Sequence, residues 1–115
     1  MSVGGIGETK SSKYPVIASI KSAPMSTIVR EMLSTSDNNT AELVLKEIGK
    51  VAGTAGSTEQ GATVALATLS KWGLPTDGLV IRDGSGLSDQ DRVRCSLLVA
   101  VLHREGVNGP LYAGL

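Results

Sequence analysis

Ser36-Asp37-Asn38 sets a hydroxyl, a carboxylate and a carboxamide on three consecutive residues. Side chains of these types compete for backbone hydrogen bonds, so the polar run from Ser34 to Asn39 favours a turn and helix caps over continuous helix. Three such residues at a helix junction read as a cap before they read as chemistry. A second polar group, Asp83-Gly84-Ser85-Gly86-Leu87-Ser88, contains two glycines that force a tight turn and let backbone approach another group closely. Alone it is a glycine turn in front of a cap made by Ser88 and Asp91. Cys95, at helical spacing from Leu98 and Leu102, reads as a buried inert thiol, and His103 as a cation complementing the end of a helix dipole. With a single cysteine and a single histidine, no internal disulfide forms and no cysteine or histidine pair holds a structural metal. No cofactor is implied.

Helices must position these groups. Behind Pro24, which a first helical turn tolerates, Met25, Ile28, Val29, Met32 and Leu33 recur at i, i+3, i+4, i+7 and i+8. A second helix, capped by Asn38 or Asn39 and carrying Glu42 in its first turn, aligns Ala41, Val44, Leu45, Ile48 and Val51 on one face. Ser36-Asp37-Asn38 therefore falls where two helices meet. Glu42, Lys46 and Glu47 read as a solvated face, with Glu42 also assisting the cap. Ser57 and Gln60 make a capping box ahead of a third helix through Ala62, Ala65, Leu66 and Leu69, which Gly73 and Pro75 end. Trp72 is expected in a core or interface near that end. A last helix is expected to open at Ser88, run through Val93, Leu97, Leu98 and Val101, and close with His103, Arg104 and Gly106.

Alternation from Tyr14 to Lys21 predicts a short strand that Pro15 confines to an edge or a strand start, and Gly78 to Arg82 predicts a briefer one. Residues 1–13 read as a flexible lead-in and 14–115 as one partial domain. The fold class is α/β (α+β), mainly helical with one or two short strands, its partner sheet lying outside the chain. The apolar end Leu111 to Leu115 after Gly109-Pro110 predicts a polypeptide that continues.

The bulk properties narrow the function. At 115 residues, one compact domain is the ceiling, and 41% apolar content with zero net charge describes an ordinary folding chain rather than a disordered tail. Without a basic cluster, and with Tyr14, Trp72 and Tyr112 as its aromatic residues, the chain lacks both the electrostatic attraction and the stacking platform for nucleic acid. The longest apolar run, Leu97 to Leu102, falls far short of the roughly 20 residues a membrane-spanning helix needs. No basic and then apolar leader follows Met1.

Context gives the first tripeptide meaning. The string Ser36-Asp37-Asn38-Asn39-Thr40-Ala41-Glu42-Leu43, running into Leu45 and Ile48-Gly49, resembles the second motif of penicillin-recognising serine enzymes and the helix behind it. Asp83-Gly84-Ser85-Gly86-Leu87-Ser88 is similar to a signature of the class C low-molecular-mass penicillin-binding proteins, the D-alanyl-D-alanine carboxypeptidases and endopeptidases. Ala18-Ser19-Ile20-Lys21-Ser22-Ala23-Pro24-Met25 is similar to the strand and helix entry that precede the Ser-Asp-Asn motif in that family. Two motifs in the right order, within a resemblance covering Val16 to His103, are more specific than either alone. Class A β-lactamases are the nearest competitor, but Asn39 sets Thr40-Ala41 one place later than in them and leaves Ala41-Glu42 in the carboxypeptidase register.

The resemblance implies a part of the β-lactamase/transpeptidase-like penicillin-binding fold and serine acyl transfer on peptidoglycan stem peptides ending in D-Ala-D-Ala. β-Lactams would be covalent inhibitors of the complete protein, and the parent would work outside the cytoplasm, on the periplasmic or cell-wall side. Ser36 would relay a proton beside a lysine, Asn38 would hold the substrate's peptide carbonyl, and Asp37 would brace the turn by accepting backbone N–H groups. Asp83, Gly84, Ser85 and Gly86 would mark the family near the site. The departures weigh as much. Neither Ser-x-x-Lys nor Lys-Thr-Gly occurs anywhere, and Thr9-Lys10 runs in the wrong order, so the chain looks like a central piece that is inactive alone. The rival expectation is a non-catalytic helical interaction module on the same scaffold.

Overall fold

A computed structural model describes residues 18–109 and 111–114. Four helices follow one another among these residues: α1 (Met25–Thr35), α2 (Asn38–Ala52), α3 (Thr58–Lys71) and α4 (Cys95–Glu105), with a 3-10 turn at Tyr112–Gly114. The order α1, α2, α3 and a late α4 matches the apolar periodicity, and each helix stops where the sequence supplies a stop. Gly73 and Gly106 take positive φ, 73° and 64°, just past α3 and α4, where glycine carries no Cβ penalty.

The chain enters α1 at Pro24, whose carbonyl accepts the Thr27 and Ile28 amides at 2.9 and 3.2 Å. Pro24 itself sits at the cap position, one residue before the first helical turn. α2 and α3 form the tightest pair. Leu45, Gly49 and Gly61 are buried between them. A Cβ on Gly49 would come within 2.7 Å of the Gly61 amide nitrogen, and one on Gly61 would collide with the Leu45 carbonyl. Two bare Cα positions thus let the helix backbones touch. The loop between them closes as expected at Ser57, whose Oγ accepts the Gln60 amide at 3.2 Å, while Gln60 Oε1 accepts from the Thr54 amide. α4 is tied to the end of α3 by the Arg104 guanidinium, 4.6 Å from the centre of the Trp72 ring.

Several expectations need correction. No strand forms among the described residues. Tyr14 to Ile17, the first half of the expected strand, lie outside them, and Ala18 to Lys21 run without a ladder, Ile20 being 98% exposed. Alternation marks a segment able to pair, but pairing needs a neighbour, and none is within the described chain. Gly78 to Arg82 reaches a single antiparallel bridge, Val80 with Arg92, closed by N–H···O bonds of 2.9 and 3.0 Å. That bridge explains the third correction. Residues after Ser88 are committed to it, so Ser88 caps only a turn through the Gln90 amide, and α4 starts seven residues later, leaving Val93 outside and half exposed. Cys95 then falls in the exposed opening turn of α4 rather than in a core. Asp37, and neither Asn38 nor Asn39, caps α2, which places Glu42 beyond its first turn. Trp72, expected in a core or interface, is 44% exposed.

The apolar faces remain largely open. Leu45 and Leu97 are the buried apolar side chains among the described residues. Met25, Val29, Val44, Ile48, Val51 and Trp72 line part of a groove of about 600 Å³ across α1, α2 and α3.

Candidate functional site

The junction of α1 and α2 is built one residue at a time. Ser36 adopts φ 54° and ψ 47°, and is the non-glycine residue of positive φ among the described residues. Its amide bonds the Leu33 carbonyl at 3.3 Å, and the Asp37 amide bonds the Met32 carbonyl at 2.9 Å, closing α1 in a left-handed C-terminal motif normally given to glycine. Asp37 opens α2: Oδ1 accepts the Asn39 and Thr40 amides at 3.0 and 3.2 Å, and Oδ2 accepts the Thr40 hydroxyl at 2.6 Å. The Thr40 hydroxyl first, and the Thr40 amide with it, hold the Asp37 carboxyl below its ordinary value. Bracing by Asp37 is the role the sequence suggested for it. Asn38 becomes the first residue of α2, and Ser36 and Asn38 are both solvent-exposed.

The loop Asp83–Ser88 is equally specific. Asp83 Oδ1 accepts the Gly86 amide at 2.5 Å and Oδ2 the Ser88 amide at 2.6 Å. Burial pushes this carboxyl up, but those two amides together with the Asp91 and Ser85 side chains outweigh it and leave the group below its ordinary value. Gly86 turns at φ 74°. Gly84 lies against α2, where a Cβ would come 2.5 Å from the Ala41 carbonyl oxygen. The close backbone approach anticipated for these glycines is made by Gly84, against Ala41 and Glu42 of α2, and not by Gly86.

The two motifs, far apart in sequence, share one pocket of about 180 Å³. It is lined by Met32 and Leu33 of α1, by Ser36, Asp37, Asn38 and Ala41, and by Gly84 and Ser85. Ser36 and Asn38 thus open on the same space. Asp83 and Gly86 shape the loop from behind without lining the pocket, and neither Cys95 nor His103 lines it. Sequence reasoning missed Glu42. Its Oε1 accepts the Gly84 amide at 2.8 Å, the Ser85 amide at 3.1 Å and the Ser85 hydroxyl at 3.0 Å. The available signal was a carboxylate one turn along the helix from a hydroxyl-carboxamide pair, in a chain whose other motif is a run of backbone amides unshielded by side chains. Among the described residues no group of three or more histidine, cysteine or carboxylate side chains is arranged to hold a metal ion.

Comparison with known proteins gives the family of the chain. Residues 3–110 match the D-Ala-D-Ala carboxypeptidase 3 (S13) family, and the chain belongs to that family. It is 36% identical over 91 residues to a D-alanyl-D-alanine carboxypeptidase of Actinomadura sp. (strain R39), covering 79% of this chain and 17% of that protein. It is 33% identical over 87 residues to carboxypeptidase DacB of Mycolicibacterium smegmatis (strain ATCC 700084 / mc(2)155), covering 76% of this chain and 19% of that protein. The chain thus spans less than a fifth of the length of these relatives. No helix among the described residues is long and apolar enough to cross a membrane.

Proposed function

We propose that this chain is the middle section of a serine-type D-alanyl-D-alanine carboxypeptidase that acts on peptidoglycan stem peptides outside the cytoplasm. The carrying observation is that Ser36, Asn38 and the Gly84-Ser85 backbone line one pocket in a member of a carboxypeptidase family. In this reading residues 14–115 are part of a penicillin-binding domain, and the acylated serine with its lysine comes from elsewhere in a longer polypeptide. The Ser36 hydroxyl passes a proton between that pair and the leaving amine, and the Asn38 carboxamide holds the carbonyl flanking the scissile bond. Both groups stand on hydrogen-bonded backbone: the Ser36 and Asp37 amides close α1, and Asn38 starts a helix whose cap is doubly hydrogen-bonded. Fixed donors of this kind stabilise developing charge without reorganising.

Two features support an inactive chain when it stands alone: no Ser-x-x-Lys and no Lys-Thr-Gly. β-Lactams are expected to acylate the complete protein. The test is release of D-alanine from a pentapeptide stem by the longer polypeptide that contains this segment. Wild type should turn over, and Asn38→Ala should lower kcat/KM by about 10²- to 10³-fold with little change in melting temperature. Undiminished turnover by Asn38→Ala, or absence of turnover by the wild-type polypeptide, would refute the reading, the latter in favour of an interaction module.

A further inference from the structure

Among the described residues, the hydrogen bonds from the Asp83–Ser88 loop to α2 all end on one atom, Glu42 Oε1. Two successive amides and a hydroxyl share that oxygen, so a single rotation of the Glu42 side chain would release all three at once. The loop has no slack on this side, because Gly84 already rests on the backbone of Ala41 and Glu42. Asp83 fixes the loop's internal shape through Gly86 and Ser88 but makes no bond to α2. Shape and placement of the loop are therefore governed by different carboxylates. A hydroxyl that donates its proton to a carboxylate has only lone pairs left for another partner.

We infer that Glu42 is a positioning residue: its carboxylate clamps Gly84 and Ser85 in place as the second wall of the Ser36–Asn38 pocket, and fixes the Ser85 hydroxyl so that its oxygen is left to accept from a further donor. This rests on the reading of the pocket as an acyl-transfer site. A glutamine in place of Glu42 would keep one acceptor oxygen for the two amides, whereas an alanine keeps none, so the substitutions Glu42→Gln and Glu42→Ala separate the clamp from the charge.

The clamp itself is read by amide hydrogen exchange on the 115-residue chain. Glu42→Ala should speed exchange of the Gly84 and Ser85 amides at least about tenfold, with α3 amides unchanged and Glu42→Gln much closer to wild type. Uniform acceleration across α2 and α3, or no change at Gly84 and Ser85, would overturn it. The positioning role is read in the longer polypeptide by the rate of acylation with a fluorescent penicillin. Glu42→Ala should lower that rate by about ten- to a hundredfold, and Glu42→Gln should recover most of the loss. Loosened exchange with an unchanged acylation rate would overturn the positioning role while leaving the carboxypeptidase reading intact. A wild-type polypeptide that takes no label would remove that reading and the positioning role with it.

Discussion

Ser36 holds a backbone conformation that L-residues disfavour by roughly 1–2 kcal/mol, at a position where helices usually place glycine. Retaining a hydroxyl there at a cost in stability is what a functional side chain would require. Ser36→Gly should accordingly raise the unfolding free energy of the chain by about 1 kcal/mol, whereas Ser36→Ala, which keeps the strain, should not; equal stability of the two variants in thermal unfolding would contradict this. Asp37 and Asp83 make a second residue-scale prediction. Both carboxyls are held below their ordinary value of 3.8 by groups that donate to the ionised form. Their contribution to folding is therefore complete above about pH 4 and is lost as pH falls through the lower folded-state values. Helicity followed by circular dichroism should hold from neutral pH to about 4 and drop below it, and the drop should be smaller in Asp37→Asn, whose cap does not titrate. The sequence revealed Asp37 because its partners lie two and three residues away. It hid Glu42, whose partners lie 42 and 43 residues away and are mostly backbone.

Helices were legible where local rules decide them. Met25 to Leu33 show their periodicity, Ser57 its cap and Gly73 and Gly106 their turns, all within a few residues of sequence. Elements that depend on a distant partner were not legible. The Tyr14–Lys21 alternation has no strand beside its described part, and the start of α4 was displaced by the Val80–Arg92 bridge, which no local pattern announces. The α2–α3 pair yields the element-scale prediction. Gly61→Ala would drive a methyl group into the Leu45 carbonyl, which is backbone and cannot rotate away. The helices must separate, at a cost of about 1–3 kcal/mol. Thermal unfolding should show that loss for Gly61→Ala, whereas the mild effect typical of a glycine-to-alanine change in a helix would contradict the packing described.

Few apolar side chains are buried among the described residues, and an apolar groove lies open across three helices. Exposed apolar surface of that extent binds hydrophobic dyes and weakens cooperativity. The isolated chain should therefore enhance the fluorescence of such a dye, and Val51→Lys, at a 76% exposed position on the groove, should reduce the signal without loss of helicity. A chain that leaves the dye dark would show the groove to be closed in solution. The family was readable from two short motifs and the order of the helices from their apolar periodicity; the clamp that joins the motifs was readable only in three dimensions.

The central claim is that Ser36 and Asn38 serve a serine that this chain does not carry. Its most direct measurement is covalent labelling by a fluorescent penicillin, run in parallel on the 115-residue chain and on the longer polypeptide, each as wild type and as Ser36→Ala. Label should appear only on the longer wild-type polypeptide and slow by at least about a hundredfold in its Ser36→Ala form. Label on the isolated chain, or equal rates for the two longer forms, would contradict the account.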